Sequence, residues 1–358
     1  MQAFRTIFDL APVLALFALG IGLRAAKVLD GGAVAGLRKL VVSLTLPALL
    51  FDAFFRLRPD LRNLFLIIAV FISCVLMIYI GRATSRVLRL QSPYAPLMHE
   101  GFEAGMLGYA LFLGIAGDAK LPFFAACDLG QVLFVFSVLQ AQLRRKGRVA
   151  SESSGAASSR GMAFDLLRGF ATSPVVIAIA VGLVLGTLLR AFSDGGSILA
   201  SDFVGAAAAG GGGSGTVGGL GGAGSGDIAS MLFASFWHLV ALVKALTMPL
   251  ICFVIGADIE LDRDNLAFAL RLTLGRMLVL VALAFVVGDL FAMRLLGLPS
   301  IYRFAIFVLF LLPPPFVISV FMPADDPKEN RRVATTLSLH SLASILAVGV
   351  AAVVMAPG

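Results

Sequence analysis

Long apolar runs separated by short polar stretches recur along the whole of this chain. Runs close to the ~20 residues a spanning helix needs fall at about Ile7–Leu23, Leu40–Phe55, Leu64–Ile80, Gly101–Ala116, Phe123–Gln140, Pro174–Ala191, Met231–Ala257, Leu272–Ala292, Phe304–Phe321 and Val333–Met355. Ten such runs predict an all-α polytopic membrane protein with ten transmembrane helices and mostly short loops. Two spacers are long. The stretch Arg144–Gly161 is basic and then rich in Ser and Ala, so residues 143–163 read as a cytoplasmic linker between two halves, 1–142 and 164–358. The stretch 193–230 holds 12 of the 38 glycines between Gly205 and Gly226. Gly and Ala there bury too little apolar area to offset ordering entropy, so a disordered external loop is expected.

Composition agrees with the pattern. Apolar residues make up 59% of the chain and charged residues 14%, against roughly 25% charged in soluble domains. A soluble enzyme, a disordered chain and a nucleic-acid-binding module are thereby excluded. The net charge of +7 reads as membrane topology, because cytoplasmic loops collect Lys and Arg. With the N-terminus outside, the inside segments hold 19 of the 28 basic residues, Arg276 among them, the outside segments eight, and Lys244 lies within a span. Both termini are therefore expected outside, although Arg56, Arg58 and Arg62 run against the bias locally. The first span has only Arg5 upstream, carries Asp9 and is followed by Arg24 and Lys27, so it reads as a retained helix rather than a cleaved leader. Cys74, Cys127 and Cys252 each lie in an apolar run. Their spacing fits neither a disulfide framework nor a metal site, and no cofactor is expected.

An internal repeat sharpens the reading. Leu40-Val-Val-Ser-Leu-Thr-Leu-Pro-Ala-Leu-Leu-Phe51 and Leu242-Val-Lys-Ala-Leu-Thr-Met-Pro-Leu-Ile-Cys-Phe253 agree at six of twelve positions, including Thr45-x-Pro47 and Thr247-x-Pro249. The copies lie five spans apart, so they cross the membrane in opposite directions. That is the pattern of inverted-topology repeats, which secondary transporters use to exchange outward-open and inward-open states. Such folds hold solute where two helices break near the bilayer midplane. The fourth span carries Gly101, Gly105 and Gly108, and the ninth carries Pro313, Pro314 and Pro315. Glycines weaken a helix, and three prolines remove three amide donors. Close helix packing at Gly101-x-x-x-Gly105 and a simple kink at the prolines are the plainer readings. Gly182-x-x-x-Gly186 in the sixth span reads as packing alone.

Four stretches resemble the auxin efflux carrier family of membrane transporters: Leu46-Pro-Ala-Leu-Leu-Phe51, Gly105-Met-Leu-Gly108, Ala126-Cys-Asp-Leu-Gly-Gln-Val-Leu-Phe-Val-Phe136 and Pro249-Leu-Ile-Cys-Phe-Val-Ile-Gly-Ala257. The resemblance covers nearly the whole chain apart from the two long loops. It implies two inverted five-helix repeats whose broken helices 4 and 9 cross at the substrate site. It also implies a scaffold of helices 1, 2, 6 and 7 that dimerises, and a transport unit of helices 3–5 and 8–10 that moves as an elevator. The implied substrates are small organic anions such as auxin or dicarboxylates, and the implied location is a plasma membrane, the inner membrane in a bacterium. Carried onto this chain, the substrate site comprises Glu103, Ala104, Gly105, Gly108, Asp128, Gln131, Pro313, Pro314 and Pro315. The family usually has Asn at the position of Glu103, Pro at that of Ala110 and often Asn at that of Gln131.

Ionisable groups at depth cost at least ~2.5–3.5 kcal/mol each on insertion scales, so they need partners or a function. Glu103 reads either as a proton-coupling group or as a carboxylate bonded to broken-helix amides. Lys244 lies about 20 Å into its span at 1.5 Å per residue. It reads as an ion-pair partner or as an attractor of anionic substrate. His340 lies beside Ser338 and Ser341, as a satisfied core residue or a proton relay. The function expected is secondary active transport of a small organic anion, possible proton coupling included, with the lipid bilayer as surroundings and no nucleic-acid partner. A channel would need more polar lining than the spans offer, and an enzyme lacks any hydrolase, metalloprotease or nucleotide motif. A membrane sensor without transport would want a signalling domain.

Overall fold

The computed structural model describes residues 2–58, 60–150, 172–194, 225–322 and 326–355. The Ser/Ala-rich part of the expected linker and most of the Gly-rich stretch lie outside the described residues. The helices are α1 (Gln2–Ala25), α2 (Gly31–Arg56), α3 (Leu61–Val87), α4 (104–116), α5 (Asp118–Lys146), α6 (Pro174–Asp194), α7 (225–257), α8 (Arg263–Leu295), α9 (Ser300–Phe310) and α10 (Pro327–Met355). Seven of them, α2, α3, α5, α6, α7, α8 and α10, are long and apolar enough to cross a membrane. No strand occurs among the described residues. The chain is an all-α, multi-pass membrane protein.

Several helices outrun the apolar runs that predict them. α2 begins at Gly31, nine residues before Leu40, because the Asp30 carboxylate caps it by accepting the Ala33 N–H at 2.7 Å. Asp60 caps α3 in the same way through Arg62 N–H. Capping and helix propensity carry a helix beyond its lipid-immersed part, whereas hydropathy registers only that part. The helix of α5 runs on past Lys146 to Ala150, so the expected linker gives up residues 143–150, and α7 begins at Ser225 inside the expected loop.

α3 shows how the faces divide. Phe65, Ile68, Ile72, Leu76 and Tyr79 form an exposed stripe at helical spacing, while Leu66, Val70, Cys74 and Met77 on the other face are buried. A stripe that apolar belongs to lipid, and the buried face packs on α5. Glycines set the closest approaches. A Cβ at Gly130 of α5 would stand 2.3 Å from the Ile67 carbonyl of α3.

The remaining packing is reciprocal. α1 lies along the second part of α7, where Gly20 meets the Phe253 carbonyl and Gly256 meets that of Phe17. α6 lies along α2, where Gly182 and Gly186 meet the carbonyls of Phe51 and Phe55. α3 packs on α5, and α8 packs on α10. The repeated triplets touch as well. α2 widens into a π turn over Val41–Thr45 just ahead of Pro47, which relieves the clash of the proline ring with the carbonyl four residues back. α7 breaks at Leu246, three residues ahead of Pro249. At this point the Thr247 hydroxyl donates to the Thr45 carbonyl at 2.9 Å.

Candidate functional site

The chain between α3 and α4 does not run as a helix. Gly101 takes φ +66°, a backbone state that costs an L side chain roughly 1–2 kcal/mol. A Cβ there would also press on Pro315 Cγ at 3.0 Å. α4 then starts with a wide turn, Ala104–Gly108. α9 stops at Phe310, residues 313–315 are non-helical, and a four-residue helix, Val317–Val320, comes next. Prolines at 313–315 cannot supply helical amide bonds, so the helix cannot continue.

The two interruptions meet. Glu103 N–H donates to the Pro313 carbonyl at 2.9 Å. The Glu103 carboxylate accepts from Phe316 N–H at 2.6 Å through Oε2, and from Met106 N–H at 3.2 Å through Oε1. One carboxylate therefore caps the start of both helical segments, where backbone donors and the helix dipole favour negative charge. The rings of Phe102 and Phe310 stack edge to face at 4.9 Å.

The opposite ends are held by one guanidinium. Arg276 of α8 is fully buried. Its Nη1 donates to the Met98 carbonyl at 2.8 Å, and its Nη2 donates to that of Gly101 at 2.6 Å and reaches that of Leu312 at 3.4 Å. These carbonyls are freed by the breaks, and without a donor each would cost about 1–3 kcal/mol. Arg276 is a correction to the sequence reading, which counts it with the cytoplasmic loop cations. A hydropathy window cannot distinguish an arginine at a membrane edge from one that fastens broken backbone.

A cavity of about 530 Å³ lies against the two breaks. It brings together Glu103, Gly105, Asp128, Gln131 and Pro315 of the expected site. α1 aside, the helices expected as scaffold contribute to its other wall, with Leu46 from α2, Ile179 from α6 and Ile255 from α7. Asp128 is fixed by the Tyr109 hydroxyl, which donates to Oδ2 at 3.1 Å, and Gln131 Nε2 donates to the Phe102 carbonyl at 2.5 Å. Among the lining residues Arg38 pairs with Asp258, with side chains 48% and 33% exposed, and Glu260 also lines the cavity.

The other expected residues sit elsewhere. Ala104 is buried, and Gly108 packs against Leu312 and Phe124. Pro313 and Pro314 are buried behind the lining. His340 is fully buried, in electrostatic reach of Arg276 and His99. Lys244 does not reach the cavity. Its Nζ pairs with Asp52 at 2.5 Å and with Asp118 at 3.0 Å, and Arg56 pairs with the same two carboxylates at 2.5 and 3.0 Å. These four residues join the end of α2 and the middle of α7 to the start of α5. The sequence reading missed Arg38, Asp258, Glu260 and Ser338 as lining residues, since helix-end charges and serines carry no signal of which face they turn inward. Among the described residues no three His, Cys, Asp or Glu side chains gather so as to hold a metal ion. No protein-family model matches the chain, and no curated protein matches it either.

Proposed function

We propose that this protein is a secondary transporter of a small organic anion that works by elevator-type alternating access. The observation that carries this reading is a cavity set against two interrupted helices that share one carboxylate and one guanidinium. Irregular backbone at membrane depth is tolerated where it lines a cavity, and broken helices of this kind mark solute sites in transporters. The likeness to auxin efflux carriers supplies the anion class and the division into a frame (α1, α2, α6, α7) and a moving unit (α3–α5, α8–α10).

Three further features support the reading. The α1–α7 and α6–α2 pairings exchange first and second helices between the halves, as an inverted repeat would. The cavity lies between frame and moving unit. Its lining pair Arg38–Asp258 is part-exposed, on the cytoplasmic side under the charge bias, and the Lys244–Asp52–Arg56–Asp118 cluster, outside the lining, joins α2, α5 and α7 at the far end of α2. Two copies pairing through the frame complete the proposed assembly.

A second reading is favoured by one observation. Among the described lining residues Glu103, Asp128, Asp258 and Glu260 face a single arginine, which suits a small organic cation. Reconstitution in liposomes with a panel of carboxylates and amines, under imposed pH and sodium gradients, tests both readings. Accumulation of a carboxylate supports the first and of an amine the second. Passive currents far above carrier turnover would refute both.

A further inference from the structure

The two carboxylates at the breaks are not equivalent. Both oxygens of Glu103 accept backbone N–H groups at helix starts, so its charge is compensated by fixed dipoles. Asp128 is 2% exposed and has one donor, the Tyr109 hydroxyl, on Oδ2. Its Oδ1 is buried without a hydrogen-bond partner. One helical turn on, Gln131 is 5% exposed, and its Oε1 is likewise buried without a partner. The orientation of that amide is fixed, because Nε2 must face the Phe102 carbonyl that accepts from it. Residues three apart share a helix face, and both line the cavity. The one cationic side chain among the described lining residues, Arg38, is engaged by Asp258.

Two buried acceptor oxygens with no donor, one of them on a carboxylate, call for a cation. We propose that Asp128 Oδ1 and Gln131 Oε1 are the protein ligands of a monovalent-cation subsite in this cavity. Its occupant is a free alkali ion or the ammonium group of a bound solute, with water completing the coordination. In the transporter reading a free ion bound there offsets the carboxylates that would repel an anion, which makes it a coupling ion, whereas an ammonium group belongs to the solute itself. Binding itself does not depend on that reading.

Thermal unfolding of the full chain in nanodiscs tests the subsite, with sodium, potassium, ethylammonium and N-methylglucamine chlorides at equal ionic strength. A saturable rise in unfolding temperature with sodium or potassium over N-methylglucamine identifies a free ion, and a rise with ethylammonium alone identifies a solute amine. Either rise should vanish in Asp128→Asn. Tyr109→Phe frees Oδ2, so it should lower the concentration of cation needed for half the effect, a direction that loss of packing would not produce. The proposal is overturned if no cation shifts the wild type, if the shift survives Asp128→Asn, or if Tyr109→Phe weakens binding. Should Asp128→Asn not fold, saturable binding of radioactive sodium by wild type and Tyr109→Phe decides for the free ion, and displacement of ethylammonium by alkali ions decides for the amine. Cation binding without uptake of any solute would defeat the transporter reading alone, and uptake indifferent to cations would defeat only the subsite.

Discussion

The interruptions of α4 and α9 solve one problem in opposite ways. At α4 the chain bends because Gly101 adopts a left-handed backbone, and the freed amide of Met106 is answered locally by Glu103. At α9 the chain bends because prolines occupy 313–315, which deletes donors instead of satisfying them. Three groups at this second break, Phe316 N–H and the carbonyls of Leu312 and Pro313, are answered from outside α9, by Glu103 or Arg276. The glycine break is answered partly by its own Glu103, and the proline break leans more on its surroundings, keeping local bonds only at its edges, from Leu312 N–H to the Leu309 carbonyl and from Ile318 N–H to the Pro315 carbonyl. Two helix breaks can therefore share a shape without sharing the chemistry that keeps it.

Arg276→Met should have the largest effect, since it strips both breaks together. Two or three orphaned buried carbonyls at about 1–3 kcal/mol each predict a loss of roughly 3–6 kcal/mol, seen as low recovery and early unfolding in detergent. Arg276→Lys should not rescue it, because an ammonium lacks the planar fork that reaches several carbonyls. A Met variant as stable as wild type would show that the breaks hold without the guanidinium. Glu103→Gln comes next. An amide can accept from one of the two N–H groups but turns a donor toward the other, a cost of about 1–3 kcal/mol. If Glu103 is a cap and not a proton carrier, the variant's uptake should keep the wild-type pH profile at reduced rate. A flattened profile would move Glu103 into the coupling machinery.

Gly101→Ala should cost about 1–2 kcal/mol from its left-handed backbone, with further cost where the new methyl meets Pro315. Gly108→Ala should cost less. Its methyl would meet Leu312 Cδ1 and Phe124 Cζ, the ends of side chains that can give way. Thermal unfolding of the two variants side by side measures how far the α4 break depends on backbone freedom rather than on packing. Equal losses would mean that packing alone shapes it.

Much of this was legible in the sequence, and the rest was hidden for identifiable reasons. Apolar runs announced the helices, and the clusters Gly101–Gly108 and Pro313–Pro315 announced where helices would fail, since both residue types act on the backbone they belong to. The Thr-x-Pro triplets announced a repeat, though not that Thr247 would bond Thr45. Arg276 and the Asp52–Arg56–Lys244–Asp118 cluster were illegible as units, because each depends on side chains separated by dozens to hundreds of positions. The unlike environments of Glu103 and Asp128 were illegible too. A carboxylate in an apolar run looks the same whether two amides or one hydroxyl will face it.

The smallest effect expected separates the segments on the far sides of the two breaks. α4 leads directly to Asp118, which Arg56 of α2 and Lys244 of α7 hold at 3.0 Å, whereas the segment after the α9 break, with Ser319, borders the cavity. Asp118 is 38% exposed, so Asp118→Asn should change global stability by no more than about 1 kcal/mol. Its consequence should appear in the balance between states. If, in the proposed elevator, the cluster braces the side away from Arg38–Asp258, loosening it by about 0.5 kcal/mol changes the ratio of the two states about twofold. That shift is toward the state in which the present opening is shut. A Ser319→Cys reporter can read this by maleimide labelling, since Cys74, Cys127 and Cys252 are all buried. Labelling should slow when Asp118→Asn is added. An unchanged rate would leave the cluster as a static brace, and a faster one would mean that Asp118 favours the closed mouth.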